Sequence, residues 1–355
     1  MKLLIINPFG IGDVLFTTPV IKAIKNKYSN SFIGFWSNLR VAPLLENNPK
    51  VSKVFALSRG DVKKIYQKSF FVGFGRSIMI AWLIKLEHFD VCLDFSLDHR
   101  YGLLAKLIGI KQRIGFNYKN RGRFLTHKID IDGYSNKHAV EYYLELIKFL
   151  GIEAKDKSLE LVVPAVVGKK AKDVLTGYAI KDSDLVIGII PGAGGSWGKD
   201  AAYKHWPALR FAEVADKLVD AFKAKILILG DESESKIAEL IINAMHNKPI
   251  DLTGKIDLDV LPAVIKNCKL VITNDGGPMH MAVALGIKSV SVFGPVSELV
   301  YGPYPSSKDH LVIKSDTACR PCYKNFRMLN CDRDKECLKS IGVNEVFDAA
   351  VRLLN

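Results

Sequence analysis

The sequence predicts two α/β domains, each a doubly wound parallel sheet, and three observations carry that reading. Short apolar runs without polar alternation recur at residues 2–7, 91–95, 185–190 and 270–273, as in strands buried on both faces. Segments of helical periodicity lie between them, which is the alternation that builds a parallel sheet covered by helices. The chain has 355 residues, 48% of them hydrophobic, enough for two cores of about 160 residues each.

The elements follow in order. Residues 2–7 form the first strand, and a helix at 18–28 follows with Val20, Ile21 and Ile24 at helical spacing. Strands are predicted at 31–36, 54–57 and 91–95, with helices at 78–86 and 101–108, the latter ended by Gly109. A helix at 137–150 stops at Gly151, and the polar stretch 152–164, closing on Pro164, suits a crossover between domains. The second series has strands at 185–190, 225–229, 270–273 and 289–293. Its helices are placed at 206–222, 233–245, 260–266 and 278–285, with a closing helix at 343–354. The expected layout is a first domain over 1–165, a second over 166–340 and a C-terminal helix over 341–355. Ligands of such sheets sit outside the carboxyl ends of the strands, so a cleft between the domains is the expected site.

No apolar stretch approaches the roughly 20 residues of a spanning helix, and Pro8 interrupts the first apolar run too early for a signal peptide. A cytoplasmic location is therefore expected. The net charge is +13 and unevenly spread. Residues 1–150 hold 23 Lys and Arg against 11 Asp and Glu, a net of +12, leaving +1 for the remainder. A basic half points to an anionic partner, with plain solubility charge as the competing explanation. Basic runs interleaved with aromatic residues, as in an RNA-recognition signature, are missing, so no nucleic-acid partner is expected.

Three glycine-rich loops and one cysteine group could carry chemistry. After the strand at 270–273 come Asn274, Asp275, Gly276 and Gly277, then Pro278, with His280 in the first helical turn and Gly286 as a left-handed cap. Uncovered N–H groups at a helix N-terminus suit a phosphate. Asp275 could accept from a sugar or ribose hydroxyl; a plain tight turn capped by Asp275 is the alternative. The second loop, Pro191 to Gly198, includes Gly194, Gly195 and Ser196 and precedes Lys204, a cation that could neutralise a phosphate approaching the loop, with a surface turn and a solvated lysine as the alternative. It lacks the Gly-Lys-Ser/Thr of a P-loop. The third loop, Pro8 to Val14, lacks the third glycine of a dinucleotide fingerprint, because Phe16 stands there. In it Asp13 stands beside Gly12 at a helix entrance, as a general base for an incoming hydroxyl or as a simple N-cap. Finally, Cys319, Cys322, Cys331 and Cys337 fall within 19 residues, whereas Cys92 and Cys268 sit in apolar surroundings. Such a group holds a structural metal, zinc or iron, or consists of reduced, packed thiols.

Taken in order, Gly12 to Pro19, Lys204-His205-Trp206-Pro207, Thr273 to Gly286, Val292-Phe293-Gly294-Pro295 and Cys319-Arg320-Pro321-Cys322-Tyr323 resemble glycosyltransferase family 9, the ADP-heptose:lipopolysaccharide heptosyltransferases. The resemblance spans nearly the whole chain. It implies a GT-B fold of two Rossmann-like domains, the first binding the acceptor and the second the nucleotide-sugar. It implies inverting transfer needing no catalytic cofactor. Asp13 matches the position of the family's base, Lys204 a contact to the donor diphosphate, and Glu232 a carboxylate near the ribose. Asp275, Gly276, Gly277 and His280 match the diphosphate and sugar site. The family's hydroxylated pair in the 190s loop appears here as Gly194-Gly195-Ser196, and the stretch to Lys204 is long.

The implied partners are ADP-heptose and an acidic, lipid-linked glycan at the cytoplasmic face of the inner membrane. Arg100, Lys111, Arg113, Lys119, Arg121 and Arg123 are the residues expected at that glycan, and the apolar stretch 70–86 is expected at the membrane. Transfer of another activated sugar, such as UDP-N-acetylhexosamine, and non-catalytic nucleotide or RNA binding are the rival readings.

Overall fold

The computed structural model describes the chain apart from Arg59, Lys64, Ile65, Tyr66, Lys68, Phe70, Phe71, Gly195, Ser196 and Lys199. The chain divides into two compact units, Met1–Val162 and Val163–Asn355.

The first unit has strands β1 (Lys2–Ile6), β2 (Phe32–Ser37), β3 (Lys53–Ala56), β4 (Val91–Asp94), β5 (Gln112–Tyr118) and β6 (His127–Ile131). Its helices are α1 (Ile11–Phe16), α2 (Thr18–Lys27), α3 (Ala42–Glu46), α4 (Arg59–Lys68), α5 (Phe70–Leu86), α6 (His99–Leu107) and α7 (Ala139–Ile147). The strands pair in the order β3-β2-β1-β4-β5-β6, all parallel. β1 is central and its Leu3 to Ile6 are fully buried, which is why it reads as a continuous apolar run. The order reverses direction between β1 and β4, where Ile6 faces Asp94 in register. Loops leaving that point diverge and open a crevice beyond the strand ends. The stretch expected as a crossover is tied to this unit: Lys22 meets Asp156 at 2.6 Å and Lys50 meets Glu160 at 2.6 Å.

The second unit has strands β7 (Val186–Ile190), β8 (Lys225–Ile228), β9 (Ile250–Asp251), β10 (Leu270–Asn274), β11 (Lys288–Phe293) and β12 (His310–Lys314), and a small hairpin of β13 (Tyr323–Lys324) and β14 (Arg327–Met328). Its helices are α8 (Ala165–Gly177), α9 (Ala208–Phe222), α10 (Ser235–Ala244), α11 (Leu261–Lys266), α12 (Gly277–Ala284), α13 (Glu298–Tyr301), α14 (Glu336–Lys339) and α15 (Val343–Leu354). The sheet order is β12-β11-β10-β7-β8-β9, the arrangement of the first unit repeated without sequence repeat. The direction change falls between β7 and β10. Helix α15 belongs to this unit's core, with Val346, Ala350 and Leu353 buried beside Trp206 and Phe211.

The expected α/β class of two doubly wound parallel sheets is what the molecule has. Most predicted strands and helices are present within a residue or two of their expected ends. The helix predicted from residue 78 starts earlier, at Phe70. Strand β5, the edge strands β6, β9 and β12, and helices α4 and α8 were not predicted, because charged and polar residues interrupt or closely flank the apolar ones in their sequences. Helix α5 is apolar all round: Ile80 and Ile84 are buried in the first core, whereas Val72, Phe74, Ile78, Met79, Trp82 and Leu86 are exposed. Among the described residues, no helix is long and apolar enough to cross a membrane.

Candidate functional site

In the second unit the loops at the strand-order reversal are held together by one side chain. Asn274, fully buried at the end of β10, accepts the Trp206 backbone N–H through Oδ1 at 3.1 Å. Its Nδ2 donates to the Pro191 carbonyl at 2.5 Å. The glycine loop after β7, the Lys204–Trp206 stretch and the entry to α12 are thereby fixed to one another. Gly276 caps α12 and Pro278 sits in its first turn. A Cβ on Gly276 would stand 3.4 Å from the Ala193 carbonyl oxygen, so two glycine-bearing loops meet backbone to backbone. His280 is 4% exposed, beneath that helix entrance.

The residues expected as separate donor contacts form a pair. The Lys204 amine lies 2.8 Å from Asp275 Oδ2, with the two side chains 2% and 5% exposed. The Trp197 ring covers the amine, its centroid 4.0 Å from Nζ. A lysine this dry persists only with a carboxylate beside it and a further partner for its remaining face; Asp275 and the indole supply both. The same positive charge acts on His205, whose pKa is lowered by burial first and then by Lys335 and Lys204.

Glu234 was not identified from the sequence, although the spacing Asp231-x-x-Glu234 is that of a capping box and the structure forms one. Its carboxylate accepts from the Gly194 N–H at 3.1 Å and from the Asp231 N–H at 3.1 Å. Burial, then the neighbouring Asp231, raises its pKa. Gly192 has to be glycine here, since a Cβ would fall 1.6 Å from Glu234 Oε1. Gly194 itself has φ +79°, a conformation glycine adopts without strain. Glu232 is exposed on the turn after β8, its carboxylate against Gly254, where a Cβ would be 2.3 Å from Oε2. Gly195 and Ser196 lie outside the described residues.

In the first unit Asp13 occupies the first turn of α1, one residue after Gly12. The Tyr143 hydroxyl donates to Asp13 Oδ1 at 3.5 Å, and Asn7 Nδ2 donates to the Asp13 carbonyl at 2.9 Å. Tyr143 is wedged by Phe95, with ring centroids 4.5 Å apart. Asp13 is therefore a held carboxylate at the carboxyl edge of β1, not a plain N-cap: the cap of α1 is Gly10, with no side-chain bond. Nearby in the fold, Asp94 ends β4 and is buried, and desolvation pushes its pKa up to about 6 against hydrogen bonds from Ser96.

The basic residues divide into two groups. Arg113 is structural: its guanidinium donates to the Phe124 carbonyl at 2.7 Å, the Lys111 carbonyl at 3.1 Å and the Ile110 carbonyl. Arg100, Lys111, Lys119, Arg121 and Arg123 are exposed. Arg100 opens α6 after β4, and Arg121 lies over Tyr118 and donates to the Leu97 carbonyl at 3.5 Å. Positive charge thus stands at the carboxyl ends of β4 and β5.

Cys319, Cys322, Cys331 and Cys337 all line one cavity of about 10 Å³ beside the β13–β14 hairpin. Burial pushes Cys337 up to about 11, and Cys322, Cys319 and Cys331 act on it as like charges. As they stand, no three His, Cys, Asp or Glu side chains among the described residues are arranged to hold a metal ion. Cys92 and Cys268 are core residues, as expected.

Comparison with known proteins gives the family and the fold. The family model described as glycosyltransferase family 9 (heptosyltransferase) matches residues 82–331. Lipooligosaccharide heptosyltransferase 2 of Campylobacter jejuni strain 81116 is 26% identical over 99% of both chains. The glycosyl transferase family 9 structure from Veillonella parvula superposes with a TM-score of 0.82 at 24% identity, covering 99% of this chain and 97% of that one. The structure of Escherichia coli ADP-heptose lps heptosyltransferase II gives 0.76 at 21% identity, covering 100% and 98%. The expected GT-B class of two Rossmann-like units is the fold of these neighbours.

Two outcomes follow from the geometry. Asp94 binds its proton more tightly folded than unfolded, so its contribution to stability is present below about pH 4 and lost as pH rises through 6. Asp94→Asn is expected to stabilise the protein by up to about 3 kcal/mol at pH 8 and not at all at pH 4; thermal melts at both pH values check this, and an equal effect at both would exclude it. Gly192→Ala is expected to cost about 1–3 kcal/mol by forcing Glu234 from its notch. Restoring the lost melting temperature with Gly192→Ala/Glu234→Ala would identify that clash as the cause.

Proposed function

The chain belongs to glycosyltransferase family 9, and we propose that it transfers a heptose from ADP-heptose to the inner core of a lipopolysaccharide, inverting the anomeric centre. The observation that carries the reading is the sealed Lys204–Asp275 pair beside the glycine cap of α12, with His280 in the first turn. A helix entrance with free N–H groups and a lysine at hand is built for a diphosphate. The heptose comes from relatives that are heptosyltransferases by name, and the adenine from the ADP-heptose in the name of the Escherichia coli neighbour.

In this reading the donor diphosphate lies against the N-terminus of α12 and draws the Lys204 amine toward it. Gly276 and Gly277 leave their N–H groups uncovered there, His280 meets a phosphate or sugar oxygen, and Asp275 accepts from a sugar or ribose hydroxyl. Glu232, exposed after β8, takes a ribose hydroxyl, and Gly194 lies in the loop that Glu234 braces. Asp13 accepts the proton of the acceptor hydroxyl as that oxygen bonds to the anomeric carbon. The bond from that carbon to the diphosphate oxygen breaks, and ADP leaves with the electron pair. Lys204 and the helix entrance stabilise the charge that gathers on it. Every catalytic group in this scheme is a side chain or an N–H of the protein.

The acceptor is a phosphorylated, acidic glycan on lipid. Arg100, Arg121 and Arg123 face it with exposed positive charge, whereas Arg113 is taken up by backbone carbonyls. The exposed apolar face of α5, with Arg76 and Lys85 as its charged residues, rests on the cytoplasmic leaflet as a peripheral contact.

Three measurements test this. Asp13→Asn is expected to lower kcat by about 10²–10⁴-fold with ADP affinity unchanged; equal kcat would remove the base assignment. In a donor screen of the wild-type protein, ADP-heptose should bind and turn over. Tight binding of a UDP-sugar with none of ADP-heptose would end the heptosyl reading and leave the fold untouched. Replacing Ile78 and Trp82 together by Glu should abolish sedimentation with anionic vesicles while sparing turnover on a detergent-dispersed acceptor; unchanged sedimentation would refute the α5 contact.

A further inference from the structure

The cysteine finger is joined to the donor site by a chain of contacts that the transfer reaction leaves unexplained. Cys322 leads directly into β13, and its N–H and that of Tyr323 both donate to the Pro295 carbonyl, at 2.8 and 3.0 Å. The hairpin closes on Asn325 and Phe326, both left-handed at φ 52° and 59°, the backbone of a tight two-residue turn. Two left-handed residues, Asp334 and Lys335, then bring Cys337 back on α14, and the Lys335 N–H donates to Cys331 Sγ at 3.2 Å. Arg320 fastens the finger to the loop after β11, donating to the Gly294 carbonyl at 2.5 Å and pairing with Glu298 at 3.1 Å. The backbone thus gathers four sulfurs around one cavity of about 10 Å³, room for a single water-sized occupant.

The opposite side of the finger faces the donor site. Tyr323, next to Cys322, meets Trp197 edge-on at 4.9 Å. Trp197 covers the Lys204 amine, and Lys204 pairs with Asp275. Tyr203, one residue before Lys204, lines the sulfur cavity itself. The lysine is flanked on both sides by groups that the finger positions.

We propose that Cys319, Cys322, Cys331 and Cys337 bind one thiophilic cation, zinc or iron, as a tetrathiolate, and that this clamp holds Tyr323 and Tyr203 so that Trp197 keeps Lys204 in the donor site. Four thiolates at one point select such a cation over magnesium or calcium. Binding releases the thiol protons and requires the side chains to rotate inward from their metal-free positions. The metal contacts no substrate and takes no part in the transfer. The link to Lys204 rests on the donor-site reading; the metal site does not.

The test uses the full-length protein, produced in medium containing both metals and purified under reducing conditions. Elemental analysis should find about one zinc or iron per chain, and Cys331→Ser/Cys337→Ser should lose it. The stripped wild-type protein, reloaded with Co²⁺ alone, should show a thiolate-to-cobalt charge-transfer band. ADP should bind about tenfold more weakly after stripping, the size of a desolvated cation–π contact, and recover on reloading with Zn²⁺ alone or Fe²⁺ alone, whichever the purified protein carries. Tyr323→Leu should keep the metal yet weaken ADP to a similar extent. Sub-stoichiometric metal with no cobalt band, or Cys319–Cys337 disulfides in the purified protein, would overturn the metal site. Unchanged ADP affinity on stripping would overturn the coupling. ADP binding to neither form, with metal present, would instead overturn the donor-site reading.

Discussion

Two charges withdrawn from water set the terms for the second unit. The Lys204 amine and the Asp275 carboxylate are almost wholly sealed, 2.8 Å apart. Removing either would strand the other in a low-dielectric interior, so the loops carrying them have to be held to narrow tolerances. Asn274 joins those loops, Glu234 braces the glycine turn from behind, and Trp206 anchors the chain after Lys204 by donating to the Ile341 carbonyl at 3.1 Å. A hydrophobic pair would have packed there at lower cost.

Both units use the same strand order, and in each the residues with chemistry to offer stand at the same place. Asp13 and Asp94 follow β1 and β4; the 190s loop and Asp275 follow β7 and β10. The topology forces this, because only at the reversal do neighbouring loops part and leave backbone groups uncovered. The first unit brings carboxylates and exposed arginines to its edge, and the second brings helix N–H groups and a lysine. In the proposed reaction the first set takes the hydroxyl nucleophile of the acceptor and the second the diphosphate leaving group.

Much of this was legible in the residues. Central strands announce themselves because both faces are buried, as with Leu3 to Ile6 and Val186 to Ile190, and Gly286 ends α12 left-handed at φ +67° as its position suggested. Strand β5, one in from the sheet edge, and the edge strand β12 carry only short apolar stretches between polar and charged residues, so no long run marks them. The candidate site residues Asp13, Lys204, Asp275 and His280 could be named singly from strand–glycine–helix patterns. What spacing does not contain is pairing: that Lys204 meets Asp275, that Trp197 covers the Lys204 amine, and that Arg113 is consumed by backbone carbonyls. Those are tertiary facts between segments up to 71 residues apart (Lys204 and Asp275). Glu234 was recoverable from its capping-box spacing, but its role in bracing Gly194 was not.

The indole over Lys204 has a consequence of another kind. A cation held 4.0 Å from one face of an aromatic ring imposes a strong local field on it. The field changes whenever the ammonium moves or gains an anionic neighbour. Trp197 is thereby an optical gauge built into the protein: of the four tryptophans, it is the one whose share of the emission should shift with the electrical state of the lysine.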